Sequence, residues 1–74
     1  HQANQRITDA VRDRLGMSSE KVYSNISRVG NTSSASTPIC LDECVRSGRI
    51  KRGDLILMTS FGAGVTWGAL LMRW

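Results

Sequence analysis

Two short stretches hold side chains able to polarise a substrate carbonyl: His1-Gln2-Ala3-Asn4-Gln5-Arg6 and Gly30-Asn31-Thr32-Ser33. An imidazole and a carboxamide brought together offer two neutral N–H donors to one oxygen, which stabilises negative charge as it develops there. Each stretch precedes a helical pattern, so each places its polar side chain where a loop or strand hands over to a helix. His1 is the only histidine, and a lone histidine is more often structural than catalytic. No nucleophile–base pair assembles around it. Cys40 and Cys44 stand among apolar neighbours, and the many hydroxyls lack a local base. The bend Phe61-Gly62-Ala63-Gly64 adds a third candidate, a backbone N–H that becomes an oxyanion donor if it is aimed into a site. Gly62, Gly64 and Gly68 do not make a dinucleotide loop: their spacing is one residue off. The residues that follow are β-branched and aromatic, where a helix would be needed to hold a pyrophosphate.

The 74 residues carry a net charge of +4 and a pI near 9.8. The basic residues are dispersed, and only Arg49 to Arg52 cluster, inside a turn. The two Trp, one Tyr and one Phe do not alternate with them as a base-stacking platform requires, which argues against nucleic acid. A basic face suits an acidic protein or phosphates. Cys40 and Cys44 lie four apart with no second pair and no nearby histidine, so a metal site is not expected and small buried thiols are. No signal-peptide pattern is visible, and the apolar runs are too short to cross a bilayer. The chain opens on His1 without Met and closes on the apolar run Leu70-Leu71-Met72-Arg73-Trp74. Both ends read as interior to something larger, and the expectation is a C-terminal segment of a longer protein.

The elements that must position these groups follow from periodicity. Ile7, Val11 and Leu15 recur at helical spacing within Asn4–Leu15, and Gly16 supplies a left-handed stop. Ser18 to Lys21 reads as a helical turn, and the alternation from Val22 to Ile26 as a short strand. Gly30 permits the turn that aims Asn31. A second helix spans roughly 34–47 with Pro38 in its first turn. Its apolar stripe is Ile39, Leu41, Cys44 and Val45, with Asp42, Glu43 and Arg46 toward solvent, and Gly48 ends it. After a charged turn, Leu55–Phe61 and Val65–Trp74 read as strands covered on both faces. The order is α-β-α-β-β, an α/β segment over residues 1–74. Two covered strands need more helices than this chain has, so it is not expected to fold alone.

The spaced set His1-Gln2-Ala3-Asn4-x-Arg6-Ile7, Gly30-Asn31-Thr32-Ser33-x-Ala35-Ser36-x-Pro38, Leu41-Asp42-Glu43, Gly48-Arg49-Ile50-Lys51-x-Gly53-Asp54 and Phe61-Gly62-x-Gly64-x-Thr66-Trp67-Gly68 resembles the C-terminal portion of the β-ketoacyl-acyl carrier protein synthase III family. The resemblance runs through essentially all 74 residues. It implies the C-terminal part of a thiolase-like αβαβα fold, in an enzyme that initiates type II fatty-acid synthesis, usually as a homodimer in the bacterial cytoplasm or plastid stroma. It implies no cofactor beyond the substrates. A cysteine accepts acetyl from acetyl-CoA, malonyl-acyl carrier protein is decarboxylated, and the carbanion condenses with the acyl-enzyme. His1 and Asn31 match the two groups that assist decarboxylation. Gln2, Ala3, Asn4, Gln5 and Arg6 match the stretch for carrier-protein and CoA contact, with Asn4 near the pantetheine arm, and Ala63 matches an oxyanion-hole amide. Two departures stand out. Ala63 replaces a common glycine, which preserves the donor only if the backbone there needs no positive φ. The family's nucleophilic cysteine lies upstream and is absent, and Cys40 and Cys44 do not replace it. A condensing enzyme with another primer or a CoA-linked extender shares the same His and Asn. A non-catalytic module docking an acidic protein through Arg6 is the rival of another class.

Overall fold

The side chain of Asn4 begins the first helix. Its backbone is extended (φ −158°, ψ 162°), and its Oδ1 accepts the Ile7 N–H at 3.1 Å, satisfying one of the donors that a helix start leaves free. In the computed structural model, which describes residues 1–74, this cap opens α1 (Gln5–Arg14). A 3₁₀ turn (Ser19–Lys21), the single-turn helix α2 (Ile26–Val29) and a second 3₁₀ turn (Ser33–Ala35) lead into α3 (Ser36–Arg46). The chain then closes in an antiparallel hairpin of β1 (Leu55–Gly62) and β2 (Thr66–Arg73).

Both long helices stop the same way. Gly16 (φ +64°) and Gly48 (φ +75°) take the left-handed conformation that favours glycine. Met17 N–H reaches back to Arg12 O and Gly16 N–H to Asp13 O, while Arg49 N–H bonds Cys44 O and Gly48 N–H bonds Val45 O. These paired bonds satisfy the last carbonyls and turn the chain sharply. The hairpin register runs from Leu55 opposite Arg73 to Gly62 opposite Thr66, with Phe61 across from Trp67. Ala63, Gly64 and Val65 make the bend, and the Thr66 hydroxyl closes it on Ala63 O at 3.0 Å. The pairing continues past the strands, where Trp74 and residues 53–54 exchange two backbone bonds of 2.9 Å.

The expected strand at Val22–Ile26 does not form, so the local order is α-α-α-β-β. Strand propensity there is overridden for two reasons. The chain supplies no ladder partner for this stretch, and side chains from elsewhere hold Tyr23 and Asn25. The Asn25 carbonyl instead accepts from Arg28 and Val29 N–H at 2.9 and 3.1 Å, which starts α2. The helix expected over 34–47 begins at Ser36, with Pro38 inside its first turn as anticipated. Its inward line is Ser36, Cys40 and Cys44 at four-residue spacing, with Ser36 and Cys44 buried and Cys40 half-buried, and Val45, assigned to the apolar stripe, is exposed.

Burial is sparse and mostly polar. Only Gln2, Asn25, Ser36 and Cys44 are buried. Leu55, Leu57, Phe61, Trp67, Leu70 and Leu71 of the hairpin are exposed, as is Leu15 at the end of α1. Leu57 and Phe61 line an open groove with Ile7, Val11 and Leu15. Burying one such side chain contributes about 1.5–3 kcal/mol, and here most of that stabilisation is unrealised. The isolated chain is therefore expected to melt broadly, without a cooperative transition, as followed by circular dichroism on a sample shown to be monomeric by sedimentation. A sharp monomeric melt would contradict this account.

Candidate functional site

Two of the best-buried side chains, Gln2 and Asn25, anchor a hydrogen-bonded hub that fastens the start of the chain to α3. Gln2 and Asn25 bond reciprocally: Gln2 Nε2 donates to Asn25 Oδ1 at 2.5 Å, and Asn25 N–H donates to Gln2 Oε1 at 2.9 Å. Asn25 is 1% exposed and Gln2 5%. The Cys40 thiol also donates to Asn25 Oδ1, at 3.4 Å, and Asn25 Nδ2 donates to Glu43 Oε2 at 3.2 Å. That same carboxylate oxygen accepts from the Tyr23 hydroxyl at 2.5 Å and from the Arg28 guanidinium at 2.6 Å. Hydrogen bonds from Tyr23, Arg28 and Asn25 hold the Glu43 carboxyl below the usual carboxylate range. The same bond raises the Tyr23 phenol, since losing its proton would set two negative oxygens together. The Arg49 guanidinium lies 5.4 Å over the Tyr23 ring.

Sequence reasoning missed this hub. It assigned Glu43 to the solvent face with Asp42 and Arg46, whereas Glu43 is half-buried and turned toward Asn25. The reason is helical geometry. Glu43 lies four residues after Ile39 and three after Cys40, on the inward face, while Asp42 and Arg46 pair with each other outside at 2.8 Å. That spacing was available in the sequence. The partnership of Asn25 with Gln2 was not.

His1 is half-buried beside β1, where its α-amino nitrogen donates to the Thr59 carbonyl. Burial lowers the pKa of that amine; in a longer chain the same nitrogen is a peptide N–H facing the same carbonyl. The imidazole Nδ1 is buried without a partner in this chain, a situation that costs about 1–3 kcal/mol. Asn31 is positioned by its own loop. Gly30 turns the chain at φ +71°, and Ser33 sits at φ +57°, a strained conformation for a side chain that bears a Cβ. Ser33 N–H donates to Asn31 Oδ1 at 2.8 Å, which directs the amide nitrogen outward. That nitrogen reaches Ala3 O at 3.4 Å, so the loop lies against the segment that carries His1.

The remaining candidates are placed as follows. Asn4, Gln5 and Arg6 are exposed and Ala3 is half-buried. Gln2 is buried, with its amide turned inward onto Asn25. Gln5 has both amide ends engaged, Nε2 on Asp9 and Oε1 accepting from Ser24, each at 3.0 Å. Arg6 lies in the first turn of α1 and has no carboxylate partner. Ala63 does not need a positive φ, so the methyl group leaves its amide usable, and that N–H donates to no backbone carbonyl. Ala63 lies in the bend just past the end of β1, four residues on from Thr59, whose carbonyl holds His1. No hydrogen bond joins it to His1 or Asn31. Burial pushes the Cys40 and Cys44 thiols up, which keeps them from acting as thiolates. No helix is long and apolar enough to cross a membrane.

Residues 1–74 match in full the family described as 3-oxoacyl-[acyl-carrier-protein (ACP)] synthase III C terminal. The chain belongs to this family. It is 62% identical over 74 residues to a beta-ketoacyl-[acyl-carrier-protein] synthase III from Synechocystis sp. and 61% identical to one from Microcystis aeruginosa, covering 100% of this chain and 22% of each relative. It superimposes on the crystal structure of the synthase III from Aquifex aeolicus with a TM-score of 0.97 at 55% identity, over 100% of this chain and 24% of that one. The Thermus thermophilus synthase III gives a TM-score of 0.94 at 55% identity, covering 100% and 23%. The chain thus spans about a fifth of the length of these relatives. The α/β class holds, and the backbone is that of the C-terminal region of a thiolase-like synthase III.

Within this synthase III segment the Glu43 hub carries a pH signature. Its folded pKa is depressed, so its stabilising contribution is complete above the unfolded carboxylate value and is lost as pH falls through the folded value. In a full-length synthase III carrying this segment, Glu43→Gln should lower stability most at neutral pH. The gap from the parent should close as denaturation curves are repeated below the ordinary carboxylate range. A gap that persists undiminished in acid would show that the charge is not what matters.

Proposed function

We propose that this segment supplies the decarboxylation half of a β-ketoacyl-acyl carrier protein synthase III active site, with His1 and Asn31 as the catalytic pair. One observation carries the reading: the Asn31 carboxamide is oriented as a donor by Ser33 N–H, and its nitrogen lies against the segment bearing His1. The substrate is a malonyl thioester on acyl carrier protein. As its carboxylate leaves as carbon dioxide, electron density moves onto the thioester oxygen. Asn31 Nδ2 and an imidazole N–H stabilise that oxygen, and the carbanion then attacks the acetyl carbonyl held on a cysteine elsewhere in the enzyme, breaking its C–S bond and releasing the cysteine thiolate. The role calls for neutral donors, because an imidazolium would transfer its proton and quench the carbanion. With His1 Nδ1 closed off from solvent, Nε2 is the ring nitrogen left to donate.

Arg6 is proposed to meet the acidic carrier protein. It is exposed, unpaired and placed at the positive end of α1, where its charge gains nothing from the helix dipole. The Ala63 amide is assigned to the acyl-enzyme carbonyl. The enzyme is proposed to act as a homodimer in the cytoplasm or plastid stroma, with no cofactor beyond its CoA and carrier-protein thioesters.

In the full-length enzyme, Asn31→Ala or His1→Ala should reduce decarboxylation of malonyl-carrier protein by about 10²–10³-fold, the loss typical of removing one oxyanion donor. Acetyl transfer from acetyl-CoA should persist. Condensation at the parental rate in either variant would sink the assignment. Arg6→Glu should raise the KM for malonyl-carrier protein and flatten its salt dependence, with the KM for acetyl-CoA unchanged. Equal effects on both substrates would refute a docking role.

A further inference from the structure

We infer that Gln2 and Asn25 are positioning residues that set His1 and Asn31 relative to each other, a role that rests on the decarboxylation reading above. Neither side chain reaches solvent, so neither touches substrate. Gln2 is joined through one peptide unit to His1 and through another to Ala3. The His1 nitrogen is tied to Thr59 O, and the Ala3 carbonyl receives the Asn31 amide. The three consecutive residues 1–3 are thereby fixed to three different parts of the fold: β1, the Asn25 turn and the Asn31 loop.

The chemistry of the pair distinguishes it from ordinary core filling. An apolar pair of similar volume would occupy the same space without the desolvation cost of two carboxamides. What it would lack is direction. Gln2 offers one donor and one acceptor, and Asn25 answers with one acceptor and one backbone donor, so only one mutual orientation satisfies both. The Asn25 side chain cannot flip to accommodate a displaced Gln2. Glu43 requires the Nδ2 donor on one side, and the Cys40 thiol meets Oδ1 on the other. The chain from the Glu43 carboxylate through Asn25 to Gln2 therefore references the catalytic segment to α3. Catalysis is sensitive to such placement, since a displacement of about 1 Å costs on the order of a hundredfold in rate.

The test uses the full-length synthase carrying this segment, with Gln2→Met, Gln2→Asn, Asn25→Leu and the Gln2→Met/Asn25→Leu double variant. Acetylation of the nucleophilic cysteine by acetyl-CoA is read from intact mass, separately from decarboxylation of malonyl-carrier protein. Decarboxylation and condensation should fall about ten- to a hundredfold in each single variant while acetylation keeps its parental rate. The double variant should be no worse than the poorer single, because the two residues act as one unit. Gln2→Asn keeps the amide but shortens its reach, so it should behave like Gln2→Met with less loss of thermal stability. Parental decarboxylation, or equal loss of both half-reactions in all three single variants, would overturn the inference in favour of a packing role. His1→Ala and Asn31→Ala measured alongside separate the two claims. If these lose decarboxylation and the Gln2 variants do not, the positioning role fails alone; if none lose it, the functional reading itself fails.

Discussion

The structure depends on one carboxylate oxygen, Glu43 Oε2, and the three donors that converge on it. Tyr23, Asn25 and Arg28 come from a stretch with almost no regular structure of its own, and α3 gathers all three through this single atom. In a segment with one buried apolar side chain, packing alone cannot define how the chain start, the α2 turn and α3 meet. Directional bonds do so instead. A satisfied polar network rigidifies its surroundings, whereas losing one of its buried members leaves a desolvated group unpaired. The hydrogen bonds from Tyr23, Arg28 and Asn25, together with the positive charge of Arg28 at 2.6 Å, favour the ionised carboxylate there.

The two halves of the segment are organised by opposite physics. Residues 1–46 are held by caps, turns and side-chain bonds, most of them polar. The hairpin is held by its ladder, and it presents leucines, Phe61 and Trp67 with little of this chain against them. Relatives that share the backbone are four to five times longer, and burying these faces is the natural task of the additional chain. The polar hub and the apolar hairpin meet at Thr59, whose carbonyl holds the His1 nitrogen. The placement of His1 thus combines a contact that the hub secures from within the segment and a strand whose own stability comes largely from what covers it.

Much of this was readable in advance, for identifiable reasons. The α1 start at Asn4, the stops at Gly16 and Gly48, and both hairpin strands follow local rules, and local rules are written in local sequence. Pro38 in the first turn of α3 belongs with them. The failures are long-range. Val22–Ile26 has the composition of a strand, yet a strand needs a neighbour, and bonds from Gln2 and Glu43 settle its fate. Glu43 was read as a surface charge because acidic residues usually are, although its spacing from Cys40 already put it on the inner face. The bond between Gln2 and Asn25 is likewise invisible in the motif that contains Gln2. A motif records which residues occur together and does not record which way each one points.

The two proposed catalytic donors are also aimed by different means. Asn31 carries its orientation with it: Gly30, the left-handed Ser33 and the Ser33 N–H all lie within two residues. His1 is held at Thr59, and its neighbour Gln2 at Asn25 and, through Asn25, at Glu43. This explains why the glycine–asparagine loop looks purposeful in sequence while a lone histidine does not. It also bears on how Asn31 would work. At 3.4 Å its bond to Ala3 O is near the limit of a useful hydrogen bond. An amide held by a short, strong bond would have to break it before meeting a substrate oxygen. Here the oxygen of the amide is committed to Ser33, and the nitrogen is left weakly engaged. Exchanging that contact for a thioester oxygen costs little, and the gain grows as the oxygen becomes negative. A donor that is oriented firmly and occupied loosely is what stabilising a transient charge requires.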